Sequence, residues 1–213
     1  KMIVPAGLSD QELEAQVEAE ANQYIPFALE EASLDFCVVG PAANSQGDVE
    51  VLIAATRKEK VDDRMALADA AGLKLTVMDV ESYAGRMALS RLIQQLPNQG
   101  ENTTVALFEI GSQATSMQVL RDDKVLYDRE QPFGSAQLLK LIVRQYGLTM
   151  EEAVIKRRNA DLPDDYATSV LDPFVTNVSN EIGRALQFFF TSTQHSSVDY
   201  IMLSGEAGIF GGL

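Results

Sequence analysis

Val105-Ala106-Leu107-Phe108-Glu109-Ile110-Gly111-Ser112-Gln113-Ala114-Thr115 decides how this chain is read. Four apolar residues run directly into a carboxylate, Glu109. A turn carrying Gly111 follows, and Thr115 opens a second strand-like run that ends at Leu120. A carboxylate at a strand end can hold a magnesium ion through water. A glycine lets the backbone approach a phosphate, and the hydroxyls of Ser112 and Thr115 are neutral donors. A later stretch is built alike: Val198 to Leu203 is a buried-type strand ending in Ser204-Gly205-Glu206-Ala207-Gly208, a turn able to pass close to a base or ribose for the same steric reason. From spacing alone, a plain hairpin and a plain strand-to-helix turn account for both stretches more simply, because isolated glycine turns are a weak signal.

Outward from these stretches the pattern is mixed α+β. Strands are expected over 103–109, 115–120 and 124–129, the last two joined by a tight turn at Asp122-Asp123. A helix from Ser135 to Tyr146 stops at Gly147, and Thr149-Met150-Glu151-Glu152 is a capping-box form that opens a short helix. Asp172 can cap a long helix with Pro173 in its first turn, whose apolar face carries Phe174, Val178, Ile182, Leu186 and Phe189/Phe190. Upstream, Pro97-Asn98-Gln99-Gly100-Glu101-Asn102 is the most polar break, preceded by a helix over 81–96. Before it, residues 1–80 read strand, helix, strand, strand, helix, strand. Ser9-Asp10-Gln11-Glu12 caps the first helix, whose apolar face is Leu13, Val17, Ala21 and Tyr24, with Pro26 ending it. Strand-like runs 34–39 and 49–54 form a hairpin, a helix over 59–71 ends at Gly72, and Leu73 to Val80 is the last strand. The expected organisation is therefore an α+β subdomain over 1–80, a connecting helix and linker over 81–102, and a second domain over 103–213.

The 213 residues carry 17 Lys and Arg against 31 Asp and Glu, a net charge of −14, with 46% hydrophobic residues. That apolar fraction suffices for a real core, and the charge leaves no electrostatic route to nucleic acid or to anionic lipid head groups. One cysteine and one histidine rule out an intramolecular disulfide framework, a Cys-cluster zinc site and a multi-His metal site. No stretch approaches the roughly 18–20 apolar residues of a membrane span. Both termini, Lys1-Met2-Ile3 and Gly211-Gly212-Leu213, read as the ends of a piece cut from a longer protein.

The remaining reactive residues have plain readings. Glu151 and Glu152 suit a helix cap, His195 a helix end or solvated loop, and Cys37 a small core residue. Lys156-Arg157-Arg158, the one basic cluster, suits a solvated face that can also meet an acidic partner or a nucleotide, and Phe188–Phe190 suits core packing.

Several strings are more specific than any glycine turn. Pro5-Ala6-Gly7-Leu8-Ser9-Asp10, Glu20-Ala21-Asn22-Gln23-Tyr24-Ile25-Pro26-Phe27, Leu34-Asp35-Phe36 and Ala54-Ala55-Thr56-Arg57-Lys58-Glu59 resemble the PilM family of type IV pilus assembly. So do Leu162-Pro163-Asp164-Asp165-Tyr166 and Leu186-Gln187-Phe188-Phe189-Phe190-Thr191-Ser192, and the likeness runs the length of the chain in order. The resemblance implies a bilobed, actin-like ATPase fold related to the cell-division protein FtsA. Residues 1–80 would be its inserted β-α-β-β-α-β subdomain, and the chain would be truncated, lacking an N-terminal phosphate-binding segment and a C-terminal helical stretch.

The same resemblance implies a nucleotide site, for ATP with magnesium, at Glu109, Gly111, Ser112, Thr115, Arg157, Gly205, Glu206 and Ala207, with Glu109 as the indirect metal acid. Three positions depart from the family pattern: Glu109 stands for an Asp, Glu206 for a second glycine, and Val154 for the ribose-binding acid three residues before Arg157. Weak nucleotide binding without hydrolysis is expected. The function implied is a cytoplasmic scaffold, peripheral to the inner membrane, that docks the N-terminal cytoplasmic tail of PilN in a groove including Tyr24, Ile25, Pro26, Phe27, Leu34, Phe36 and Val38. Pilus motor ATPases and self-association are further partners the resemblance allows. The alternatives are an ATPase or phosphotransferase of the actin and sugar-kinase superfamily, or a tether for a related secretion or division machine.

Overall fold

The computed structural model describes residues 1–43, 45–122 and 124–206. The chain divides into two units, Lys1–Ala84 and Gly85–Leu213. The first unit holds β1 (Met2–Pro5), α1 (Asp10–Ala21), β2 (Ala32–Pro41), β3 (Asp48–Arg57) and α2 (Lys58–Ala70). Its strands form an antiparallel sheet in the order β1-β3-β2, with Val51 opposite both Met2 and Val38. Side chains alternate along a strand, so Val49, Val51 and Ile53 share the face that carries Met2, Val4, Leu34 and Phe36. That face packs on Leu13 and Val17 of α1. The expected capping box is present: the Ser9 hydroxyl accepts the Glu12 amide, and the Glu12 carboxylate accepts the Ser9 amide at 2.8 Å.

Three expectations for this unit need correction. Leu73 to Val80 forms no regular element and belongs to no sheet, and Leu73 and Val77 are exposed. Alternation makes a segment competent to be a strand, but a ladder needs a neighbour, and among the described residues none pairs with it. Cys37 is exposed, because its place in β2 puts it on the face opposite the α1 core. Tyr24 lies past the end of α1, exposed, and does not continue the buried row Leu13, Val17 and Ala21. Gly72, with φ of 71°, ends α2 as expected.

α3 (Glu81–Ile93) carries the division between the units. The second unit contains β4 (Thr104–Ile110), β5 (Thr115–Arg121), β6 (Lys124–Gln131), α4 (Ala136–Tyr146), α5 (Met150–Arg158), α6 (Asp172–Ser192) and β7 (Tyr200–Gly205). The sheet order is β6-β5-β4-β7, antiparallel except for the parallel pair β4 and β7. β4 is buried on both faces, which is why it reads as an unbroken apolar run. Ala106 and Phe108 pack with Met117, Val119 and, from α6, Ala185 and Phe189. Ile110 joins Leu138, Ile142, Phe174 and Val178 at the strand end. On the opposite face Val105, Leu107 and Leu120 meet Leu89 and Ile93 of α3.

Asp172 does not cap α6. A π-helical turn, Ala167–Leu171, runs into the helix, so Asp172 is already helical and makes no capping bond with its side chain, while Pro173 does sit in the first turn. β7 is an edge strand with Tyr200 and Ile201 exposed, not a buried one, because its free side has no partner among the described residues. His195 stacks on Phe189, ring centroids 5.8 Å apart, and of the Phe188–Phe190 triplet Phe189 is buried whereas Phe188 is half exposed beneath the Arg129 guanidinium. The polar break at 97–102 lies inside the second unit, with Asn98 and Gln99 in left-handed conformations.

Candidate functional site

The turn after β4 closes on itself, the Gly111 amide donating to the Ala114 carbonyl at 2.9 Å. It then receives the start of α4: the Ser135 amide donates to the Gly111 carbonyl and the Ala136 amide to the Ser112 carbonyl, each at 2.9 Å. The first amides of a helix are ordinarily free to bind an anion. Here two of the amides at this end already serve the 111–112 backbone. From the other side, β7 ends beside β4 with Gly205 opposite Ile110. Gly205 has a φ of 81°, and a Cβ there would overlap the Ile110 backbone, so the glycine is required by the chain's own packing. The next residue, Glu206, reaches Ser135, whose hydroxyl donates to Oε2 at 2.6 Å.

Beside that bond lies a concavity of about 430 Å³, lined by Ser112, Ser135, Leu139, Val154, Arg157 and Glu206 together with Ala136 and Arg158. Of the residues singled out in the sequence, Ser112, Arg157 and Glu206 are brought together here. Ser135 was missed; its signal was a polar residue after Phe133-Gly134 at a helix start, which reads as an ordinary cap. The charge of Arg157 also acts on Tyr166, whose phenol pKa burial pushes up while that charge pulls it down.

Four others sit apart from that lining. Glu109 shares the parity of Val105 and Leu107 and so faces α3, where a Cβ on Gly85 would lie 3.2 Å from its Oε2. The Thr115 hydroxyl is buried and donates to the Phe133 carbonyl at 2.7 Å. Gly111 and Gly205 accommodate the backbones of Ala114 and Ile110. Ala207 lies outside the described residues. Among the described residues no three His, Cys, Asp or Glu side chains gather where a metal could be held. Of the donors in this cleft, the Ser135 hydroxyl and two helix amides are bonded within the protein, whereas Ser112, Arg157 and Arg158 also line it, and the Glu206 carboxylate would face the phosphates of a nucleotide.

The first unit has a different kind of hollow. About 200 Å³ is lined by Lys1, Tyr24, Ile25, Pro26, Phe27, Ile53 and Ala55. Tyr24 is 56% exposed, and Phe27 is held by the Arg57 guanidinium 4.8 Å from its ring centre, itself bonded to Glu31 at 2.9 Å. Four of the predicted partner-binding residues, Tyr24 to Phe27, thus share one pocket. Leu34 and Phe36 instead pack against the α1 core, and Val38 is exposed on the same strand.

Comparison with known proteins agrees on the family. The family model for the type IV pilus assembly protein PilM matches residues 1–213. A chain of the PilM-PilN type IV pilus biogenesis complex is 28% identical, with a TM-score of 0.67, over 98% of this chain and 59% of that chain. The ethanolamine utilization protein EutJ from Carboxydothermus hydrogenoformans is 14% identical with a TM-score of 0.48, over 93% of this chain and 88% of that chain. The chain spans 59% of the length of the first of these relatives. No helix among the described residues is long and apolar enough to cross a membrane. The mixed α+β, actin-like fold expected from the sequence strings is the one found, and the chain belongs to the type IV pilus assembly protein PilM family.

Proposed function

We propose that this protein is an actin-like scaffold of the type IV pilus assembly platform that captures the cytoplasmic N-terminal tail of PilN. The observation that carries the reading is the match along the whole chain to the PilM family, with structural likeness to a chain of the PilM-PilN complex. The docking surface proposed for the tail includes the pocket of Tyr24, Ile25, Pro26 and Phe27. Such a pocket suits an apolar anchor on an extended peptide, since burying one large side chain supplies about 1.5–3 kcal/mol. Residence at the cytoplasmic side of the inner membrane would then come through the protein tail, in keeping with a net charge of −14 that anionic lipid would repel. ATP hydrolysis or phosphoryl transfer is the less favoured reading, because Glu109 faces α3 and lies outside the cleft.

A titration of the intact protein with a fluorescent peptide of the PilN tail tests the proposal. Saturable binding is expected, with Tyr24→Ala and Phe27→Ala each weakening it about tenfold, the equivalent of ~1.4 kcal/mol. Because Tyr24 is largely exposed, its substitution should leave the unfolding midpoint within about 0.5 kcal/mol of the parent. Absence of binding by the intact protein overturns the function. Binding that both substitutions leave unchanged overturns the pocket.

A further inference from the structure

We infer that Glu206 determines what the cleft of the second unit accepts, its own carboxylate standing where a bound anion would otherwise sit. Ser135 is 1% exposed, and its hydroxyl donates to Glu206 Oε2 at 2.6 Å. A buried hydroxyl needs a partner, and Glu206 supplies one from the adjacent strand end. The approach is fixed from both sides. Gly205 is pinned against the Ile110 backbone, and Ser135 and Ala136 are tied by their amides to Gly111 and Ser112. The carboxylate therefore lies at the start of α4, where a helix favours negative charge, and on the wall of a concavity also lined by Arg157 and Arg158. An arriving phosphate would compete with a negative group already in place, held by the donor it would use. The cleft is in this way selective against nucleoside polyphosphates, and Glu206 supplies the charge on which that selection turns.

The test is a titration of the intact protein with magnesium-ATP, followed by calorimetry, for the parent, Glu206→Gly and Glu206→Gln. Glutamine keeps an acceptor for Ser135 and removes the charge, whereas glycine removes both charge and bulk. The expected result is at least a tenfold gain in affinity for the glycine variant, with glutamine in between. Without nucleotide, Glu206→Gly should unfold at a lower temperature than the parent, since Ser135 loses its acceptor, and added nucleotide should restore the loss by mass action. Equal affinity for the parent and both variants, or tighter binding by the parent, overturns the inference. If the glycine variant does not fold, the glutamine variant decides alone by the same comparison. PilN-tail binding measured on the same samples keeps the two proposals apart: failure of the tail to bind ends the scaffold reading, and equal nucleotide affinities end this one.

Discussion

The two units solve the problem of covering a sheet differently. In the first, one face of a three-stranded sheet rests on α1, Cys37 lies exposed on the other, and α2 buries none of its side chains. In the second, a four-stranded sheet is sandwiched, with α4 and α6 on one side and α3 on the other. Charge divides just as unevenly. Residues 1–84 hold 6 Lys and Arg against 16 Asp and Glu, a balance of −10, whereas residues 85–213 hold 11 against 15, a balance of −4. The difference bears on binding. The sandwiched unit can hold polar groups such as Ser135 and Thr115 in fixed bonds, and it closes its cleft with its own side chains. The thin unit leaves an apolar hollow at Tyr24 to Phe27 on a strongly acidic background, which suits capture of another chain.

If that contrast is right, the largest effects of substitution fall in the second unit. Phe189 is fully buried, edge-on to Tyr127 at 5.6 Å and stacked with His195. Phe189→Ala should cost about 3–5 kcal/mol in denaturant unfolding, more than Val17→Ala beneath the sheet of the first unit, where a smaller side chain is lost. Equal losses at the two sites would break the contrast. Next comes Gly205→Ala. An added Cβ meets the Ile110 backbone and the φ of 81° is strained for an L residue, so roughly 2 kcal/mol should be lost even though only one methyl is gained. A neutral outcome would mean that β7 can move away from β4, and that Glu206 is not held where the cleft needs it.

These same residues explain what was legible in the sequence. Elements defined by their own periodicity or caps were readable: the β4–β5–β6 meander, the hairpin of β2 and β3, the boxes at Ser9 and Thr149, and the apolar row of α6. What failed depended on a neighbour. Leu73 to Val80 has strand alternation but no partner strand among the described residues, and Cys37 has an apolar sequence context on the uncovered face of a sheet. Asp172 has capping chemistry but follows a helical turn that no local signal announced. The cleft was half legible, for a similar reason. Ser112, Arg157 and Glu206 were flagged by the family pattern, while Ser135 enters only because α4 docks its first turn onto the Gly111-Ser112 backbone. Glu109 looked like a cleft residue until strand parity turned it toward α3.

The smallest expected effects sharpen the comparison because the two units carry the same device. Ser9 and Glu12 open α1, and Thr149 and Glu152 open α5, each as a complete capping box. Ser9→Ala and Thr149→Ala should each cost about 1 kcal/mol. The carboxylates differ in what surrounds them. Glu12 is held below its ordinary value of 4.5 by bonds from the Ser9 hydroxyl and amide. Glu152 is held down first by the Thr149 amide, then by the Thr149 hydroxyl, and also by the charge of Lys156 one turn on. In both, the folded-state pKa is depressed, so their contribution is fully present above the ordinary carboxylate pKa and fades as pH falls through the folded value. Acid should therefore weaken both caps below about pH 4.5, since each group keeps an ordinary value in the unfolded chain. Salt should separate them. Hydrogen bonds to Glu12 are not screened, whereas the Lys156 attraction at an exposed helix surface is. Carboxyl titration by NMR at low and high salt should show Glu152 moving up toward its ordinary value while Glu12 stays in place. α1 has no basic residue, so an equal response of the two would mean that the surrounding field, rather than the cap, sets the Glu12 pKa in the acidic unit.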